Sequence, residues 1–225
     1  MIPSNQNDKQ RFSNECRIYY QGKQTILKFL DEFEEYYTSK TAIHWYTREG
    51  FLFRLINKAF RHRNINVINL LHFFIVDLFN EIKKTSTLQK QDHLVCFRGQ
   101  LISNIELEAL QEKKLIRANS FISATQNYEL AKIFARGGAA LTNDLQCVMF
   151  KIVIDKNAWK TKRFADIVKL SYNEDEEEIF FAAGIVFRST SIIDDEDDRM
   201  WYVWLELYKS DFFPNAFIYI LNIVP

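Results

Sequence analysis

Few residues of this sequence are suited to disulfides or metal ions. Of its 225 residues, 3 are cysteine and 4 are histidine. The cysteines Cys16, Cys96 and Cys147 are odd in number and widely spaced, which excludes a disulfide framework and a cysteine-rich metal site. The histidines have no spacing that would pair two ligands on one helix face. We therefore expect neither structural disulfides nor a metal cofactor.

The sequence also lacks an excess of charge and a long apolar run. Lys plus Arg and Asp plus Glu number 29 each, so no global field attracts nucleic acid or an anionic membrane. No stretch of about 18 apolar residues could span a membrane, and the polar N-terminus lacks the apolar centre of a signal peptide. We expect a cytoplasmic protein that recognises its partner through a local site.

Apolar and aromatic residues are abundant. Hydrophobic residues make up 48% of the sequence, with 20 Phe and 10 Tyr, which supports a well-filled core. The length suits one large domain or a domain with a helical extension.

Helical periodicity predicts the structure of the first part, up to residue 92. Helices are expected at 26–37, at 51–60 after a cap at Thr47, and at 67–82. Residues 1–20 are expected to be partly disordered, at least up to Arg11. The polar segment 83–92 is interpreted as a linker.

Short apolar runs bounded by turn residues predict strands in the second part, 93–225. The candidate strands are 94–97, 116–122, 146–154, 177–187, 201–207 and 217–223. Ser103 and Glu106 form a capping box for a helix over 103–112, and a second helix over 127–135 ends at Gly137. The acidic stretch 194–198 is expected to be a solvated connection. The fold class is therefore α+β, with helices concentrated toward the N-terminus.

Polar residues follow the predicted strands at three places. Arg98 closes an apolar strand and Gly99 follows at once, a pair suited to a phosphate and to close approach of a ligand. Ser123 ends another strand just before a helix. Taken alone, the arginine could precede an ordinary turn and the serine could cap the helix.

The third place is a run of five acids, 174–178, directly before the apolar residues 179–183. If 176–181 is one extended segment, Glu176 and Glu178 share one face and Glu177 lies on the other. Two carboxylates on one face can act as general acid and base or stabilise a cation. Taken alone, the run is more simply interpreted as a charged loop that ends at a strand.

In combination and order, these motifs resemble those of the arginine-type mono-ADP-ribosyltransferases. The shared motifs are Arg98 in Phe-Arg-Gly-Gln, Ser123 in Ser-Phe-Ile-Ser-Ala-Thr, and Glu176 with Glu178 before Ile-Phe-Phe. The resemblance covers about residues 94–208, and 44–49 with 54–59 resemble the helical lead-in of eukaryotic members. It implies a mixed, split β-sandwich core that binds NAD, with 21–225 as one domain composed of a lead-in (21–92) and a β-rich catalytic core (93–225).

Two features of the chain depart from the family pattern. The family's serine motif is often Ser-Thr-Ser, whereas this chain has Ser123-Ala124-Thr125 and so lacks the middle hydroxyl. Several glutamates could supply the Glu-X-Glu pair. We assign Glu178 as its second member because Glu178 directly precedes the apolar strand.

The resemblance implies a role for each residue. Glu178 would stabilise the oxocarbenium-like sugar formed when nicotinamide leaves, and Ser123 would fix its rotamer. Arg98 would hold the pyrophosphate, or the phosphate and ribose on the nicotinamide side, and Gly99 would offer backbone groups to the nicotinamide amide. Glu176 would accept a proton from the acceptor, since a guanidinium is a poor nucleophile until it is deprotonated.

Other residues have weaker assignments. The loop 169–175 would face the acceptor protein, with Tyr172 as a possible contact. Phe134 and Phe121 could stack on nicotinamide, although a place in the core is the simpler interpretation of both.

Three other functions remain open from the sequence. An NAD glycohydrolase would need Arg98, Ser123 and Glu178 but not Glu176. A non-catalytic module that binds NAD or ADP-ribose, or a structural protein, would not need the full set. The partners implied are NAD and an acceptor protein.

Overall fold

The computed structural model describes residues 6–48, 50–89, 93–137, 144–155, 158–161, 163–208 and 218–221. Its α-helices are α1 (Gln6–Tyr19), α2 (Gln24–Tyr36), α3 (Ala42–Thr47), α4 (Phe51–Arg61), α5 (Ile65–Leu70), α6 (His72–Leu88), α7 (Asn104–Glu112) and α8 (Tyr128–Arg136). Short 3-10 helices span Ser39–Thr41, Ala158–Thr161 and Glu174–Glu176. The strands are β1 (His93–Ser103), β2 (Leu115–Ala118), β3 (Ile122–Thr125), β4 (Leu145–Asp155), β5 (Phe164–Asp166), β6 (Glu178–Phe181), β7 (Val186–Asp195), β8 (Met200–Leu207) and β9 (Ile218–Leu221).

The N-terminal segment is helical from Gln6, in contrast to the sequence prediction. Helix α1 covers most of the segment expected to be partly disordered. Phe12 is fully buried and Cys16 is 4% exposed, and their spacing of four residues places both on one face of the helix. Burial of this face against the other helices orders a segment whose remaining residues are mostly polar.

Three details of the helical part also differ from the prediction. Gly50, and not Thr47, precedes α4, while Thr47 ends α3 and its hydroxyl donates to the Ile43 carbonyl oxygen. The single helix predicted over 67–82 is two helices that meet at Leu71. Helix α6 extends to Leu88, so most of the predicted linker is helical; residues 90–92 lie outside the described residues.

The strands form one mixed sheet in the order β5-β6-β3-β1-β4-β8-β7-β2-β9. The pairs β4·β8 and β2·β9 are parallel, and the other neighbours are antiparallel. Strands β1 and β3 are paired at one position, Phe97 with Thr125, whereas β1 and β4 are paired along their whole length. The sheet is therefore split between β1 and β3. The predicted α+β class and split β-core are confirmed.

Two predicted strands are interrupted. The segment 116–122 contains the end of β2 and the start of β3, with a turn between them. The segment 177–187 contains β6 and the start of β7, separated by a turn at Gly184 with φ +82°. Glu177 lies before β6 in the left-handed region, with φ 46°. The premise of one extended segment from 176 to 181 is therefore wrong.

The N-terminal helices and the sheet share an apolar core. The helical cluster includes Phe121 and Phe180 from the sheet, whose rings stack with centroids 5.4 Å apart. A second cluster fills the other part of the sheet, and a small third cluster lies between α8 and strands β1 and β4. The helices thus cover the split side of the sheet. No helix in the described part of the chain is long and apolar enough to cross a membrane.

Candidate active site

A cavity of about 530 Å³ opens where β1 and β3 diverge. It lies within the usual size range of small-molecule sites. Its lining comes from α3, α4, α8, β1, β3 and the segment before β6: Tyr46, Thr47, Phe53, Phe97, Arg98, Gly99, Gln100, Leu101, Ser123, Ala124, Thr125, Leu130, Ala131, Phe134, Gly137, Glu176 and Glu178. All five site residues predicted from the sequence are among them.

Arg98 joins the two diverging strands. Its Nε donates to Gln100 Oε1 at 2.9 Å, and its Nη1 donates to the Ser123 carbonyl oxygen at 2.7 Å. Loss of water around the guanidinium lowers the pKa of Arg98 to about 10, against the opposing fields of Tyr46 and Glu178. The group remains a cation at neutral pH. Arginine has five N–H donors, and hydrogen bonds to the described residues use two of them.

Gly99 is the point at which α8 packs on β1. A Cβ at this position would lie 1.9 Å from the Ala131 carbonyl oxygen and 2.6 Å from the Ala135 amide nitrogen. Any larger residue would therefore displace the helix. The sequence suggested close approach of a ligand, but the nearest group to this glycine is the helix itself.

Glu178, the first residue of β6, is 4% exposed. Ser171 Oγ donates to its Oε2 at 2.9 Å, and the Ser123 side chain, which lines the same cavity, also favours the ionised carboxylate. Burial raises the pKa of Glu178, and the field of Glu176 adds to this, whereas the two serines and Arg98 oppose it. The net direction is upward, so the acid is easier to protonate than an exposed glutamate.

Glu176 reaches the same cavity by a different route from the predicted strand alternation. It ends the 3-10 helix Glu174–Glu176, and its Oε1 accepts from Asn173 Nδ2 at 2.9 Å. Its carbonyl oxygen accepts from Thr125 Oγ1 at 2.6 Å. Glu177 then turns the chain in the left-handed region and is exposed, so Glu176 and Glu178 line one cavity while Glu177 faces solvent.

The aromatic candidates divide between the cavity and the core. Phe121 is 1% exposed and stacks on Phe180 in the core. Phe134 lines the cavity and is 48% exposed, so the expectation that it belongs to the core is wrong. Tyr172 is 51% exposed and packs beside His44, with ring centroids 5.3 Å apart.

Sequence reasoning missed three polar residues around the site. Gln100 contacts Arg98, Ser171 contacts Glu178, and Tyr46 lines the cavity from α3. Tyr46 is 1% exposed and its hydroxyl donates to Asn57 Oδ1 at 3.1 Å. The position of Gln100 two residues after Arg98 on a strand was a usable signal, because alternate residues share a face. Ser171 and Tyr46 had no such signal, since the folded chain alone brings them to the site.

Chemically, the cavity combines a half-buried cation, Arg98, with two carboxylates. Arg98 offers unused donors to an anionic group such as a phosphate. Glu178 is held by the Ser171 hydroxyl and can stabilise a cation that develops beside it. Among the described residues, no group of His, Cys, Asp and Glu is arranged to hold a metal ion.

Comparison with known proteins agrees with this arrangement. Residues 4–211 match the sequence profile of the family described as NAD:arginine ADP-ribosyltransferase. The chain belongs to this family. It is therefore an ADP-ribosyltransferase, and NAD is the substrate of enzymes of this family. No match is found among curated protein sequences.

Solved structures of other ADP-ribosyltransferases share the fold. The Vis toxin of Vibrio splendidus, in complex with agmatine, is 21% identical with a TM-score of 0.62, covering 81% of this chain and 80% of that chain. HopU1 of Pseudomonas syringae pv. tomato is 16% identical with a TM-score of 0.62, covering 92% and 99%. Exoenzyme S of Pseudomonas aeruginosa, bound to carba-NAD and human 14-3-3 protein beta, is 14% identical with a TM-score of 0.55, covering 92% and 94%.

Proposed function

We propose that this ADP-ribosyltransferase transfers ADP-ribose from NAD to an arginine side chain of an acceptor protein. The observation that carries the proposal is the placement of Glu176 and Glu178 on one cavity with Arg98 and Ser123. The second carboxylate matters because cleavage of NAD needs one carboxylate beside the ribose, whereas transfer to a guanidinium also needs a base that removes a proton from the acceptor.

In the first step, the bond between the ribose C1′ and the nicotinamide nitrogen breaks. The bonding electron pair leaves with nicotinamide, and positive charge develops on the ribose. Glu178 stabilises this charge through a hydrogen bond to a ribose hydroxyl, and the hydroxyls of Ser123 and Ser171 hold the carboxylate. Arg98 binds the pyrophosphate, and Gly99 presents its backbone to the nicotinamide amide.

In the second step, a guanidinium nitrogen of the acceptor attacks C1′. An arginine with a pKa above about 12 must lose a proton to become a nucleophile. Glu176 accepts that proton, and the new C–N bond completes the transfer. The Glu176 carboxylate is oriented for this task by Asn173 Nδ2, which donates to its Oε1.

The segment before the glutamates is a reasonable surface for the acceptor protein. The amide nitrogen of Tyr172 donates to Thr47 Oγ1 at 2.8 Å, which fastens this segment to α3 at the rim of the cavity. Its exposed ring, together with Asp175 and Glu177, forms an aromatic and acidic surface suited to a basic acceptor. A location in the cytoplasm stays a prediction of the sequence.

The test is incubation of the purified protein with adenylate-labelled NAD and agmatine as an arginine analogue. Released nicotinamide and the labelled agmatine adduct are measured together by chromatography. The proposal predicts adduct in proportion to nicotinamide. Nicotinamide without adduct would identify an NAD glycohydrolase, and the absence of both would contradict the proposal.

A further inference from the structure

Gln100 is the closest polar neighbour of Arg98 along β1. The two residues are two positions apart on one strand and therefore share a face. Gln100 is 5% exposed and belongs to the lining of the cavity. Its Oε1 accepts from Arg98 Nε at 2.9 Å, which holds one edge of the guanidinium.

This hydrogen bond fixes the orientation of the glutamine amide. Arg98 Nε can only donate, so the amide oxygen must face it and the amide nitrogen must turn away. Gln100 Nε2 is buried and has no hydrogen-bond partner within the described part of the chain. A buried donor without a partner destabilises a folded protein.

A glutamate would occupy the same volume without this defect. It would accept from Arg98 Nε, form an ion pair with the guanidinium, and leave no buried amide nitrogen. The folded protein without ligand would gain stability from this change. The stability of the free protein therefore does not explain why position 100 is a glutamine and not a glutamate.

The reason lies in the charge of Arg98. Both groups that accept from its guanidinium, the Gln100 amide oxygen and the Ser123 carbonyl oxygen, are neutral. They fix the orientation of the Arg98 guanidinium without neutralising its charge. A carboxylate at position 100 would compete directly with any anionic ligand for the same cation.

We propose that Gln100 is a positioning residue: it holds Arg98 through a neutral acceptor and so leaves the positive charge available to the pyrophosphate of NAD. This inference rests on the proposed function, since it requires a diphosphate ligand in the cavity. It gives the glutamine of the Phe-Arg-Gly-Gln segment a role in the binding machinery, beside the arginine, the serine and the two glutamates.

The test compares Gln100→Glu, Gln100→Met and the control Gln24→Glu by calorimetric titration with NAD, ADP-ribose and nicotinamide. Gln24 is exposed at the start of α2, so its change adds the same charge far from the cavity lining. Gln100→Glu should weaken NAD and ADP-ribose at least about tenfold, or about 1.4 kcal/mol, and raise the melting temperature. The affinity of Gln100→Glu for uncharged nicotinamide should stay within about twofold of the wild-type affinity, which is well below the tenfold change expected for NAD.

Gln100→Met separates the two parts of the inference. Methionine removes the acceptor but adds no charge, so it should weaken NAD measurably but less than glutamate does. Wild-type affinity in Gln100→Glu, or equal losses in both variants, would overturn the inference. An equal loss of nicotinamide binding would also overturn it, since that indicates a distorted cavity. Wild-type protein that binds no NAD would instead refute the proposed function.

Discussion

At the scale of single residues, the site depends on how Glu178 is kept ionised. Burial favours its neutral form, and Ser123 and Ser171 oppose this by favouring the carboxylate. Ser123 belongs to the recognised motif, whereas Ser171 comes from the segment before the glutamates and contacts Glu178 at 2.9 Å. The hydroxyl from outside the motif thus holds the carboxylate directly.

Ser171→Ala should therefore impair NAD cleavage. Without the hydroxyl, less opposes the effect of burial on the pKa of Glu178. The pKa therefore rises further, and less carboxylate is present at a given pH. We expect up to about a tenfold lower rate of nicotinamide release on the acid side of the pH profile, in line with the worth of a hydrogen bond to a charged group, and a smaller effect at higher pH. The acid limb of the profile of kcat/KM against pH should move to higher pH.

Ser86→Ala is the matched control for this change. Ser86 is also buried, and its hydroxyl has no partner in the described part of the chain. Its loss should leave the pH profile unchanged. If Ser171→Ala leaves the acid limb in place, Ser171 does not act through the ionisation of Glu178.

At the scale of elements, helix α8 forms one wall of the cavity and is held from two sides. Gly99 allows its backbone to lie directly on β1. At the far side, Asp198 pairs with Lys132 at 2.8 Å and with Arg136, and it accepts from the Tyr202 hydroxyl. The acidic stretch expected to be a solvated connection therefore includes an anchor for α8.

Gly99→Ala tests the contact with the strand. The added methyl would overlap Ala131 and Ala135, so the helix must move. We expect a loss of about 1–3 kcal/mol in the free energy of unfolding, typical of overpacking, together with weaker binding of NAD. Denaturant unfolding and NAD titration measure the two effects.

Gly50→Ala is the control for this substitution, because the nearest atom to an added Cβ there is 3.7 Å away. It should leave NAD binding unchanged and lower stability less than Gly99→Ala does, since its cost is only that of a poorer N-cap for α4. Unchanged stability of Gly99→Ala with lost NAD binding would contradict the packing role and would favour direct approach of the ligand to Gly99.

Asp198→Asn tests the ionic anchor. The hydrogen bond from Lys132, followed by that from Tyr202, lowers the pKa of Asp198 to about 2. Because the folded-state pKa is depressed, the stabilisation is complete above the unfolded value near 3.9 and is lost as pH falls through about 2. The variant should lose up to about 1 kcal/mol at neutral pH, and less in high salt.

The exposed neighbour Asp197, changed to Asn, provides the comparison. It removes the same charge from the same turn without touching α8, so its stability should match wild type. A difference between wild type and Asp198→Asn that persists unchanged down to pH 2 would contradict the ionic explanation.

At the scale of the whole molecule, features that depend on residues close in the sequence were predicted better than features that depend on tertiary contacts. The capping box of Ser103 and Glu106 is present, and the N-cap of α8 is Asn127, because caps depend on residues only three positions apart. Ordered residues in α1 were missed because their order comes from burial of Phe12 against distant helices.

The two glutamates illustrate a correct pairing reached for a wrong reason. Alternation along a strand predicted a shared face for Glu176 and Glu178, but a 3-10 helix and a left-handed Glu177 produce it. Such a backbone turn at a non-glycine residue has no signature in the sequence. Ser171 was missed for a similar reason, since only the folded loop brings it to Glu178.

The most direct test is the partition of NAD between transfer and hydrolysis in three variants, measured with labelled NAD and agmatine. Glu178→Gln should abolish both nicotinamide release and adduct, whereas Glu176→Gln should suppress adduct and retain slow hydrolysis. Glu177→Gln, which changes an exposed neighbour, should match wild type.

Folding of these variants is checked by thermal unfolding. The pKa of Glu178 is raised in the folded state, so its ionisation reduces stability as pH rises, and Glu178→Gln should melt no lower than wild type at neutral pH. The account predicts that the ratio of adduct to nicotinamide falls in Glu176→Gln alone among the active proteins. An unchanged ratio in Glu176→Gln, or normal nicotinamide release by a folded Glu178→Gln protein, would contradict it.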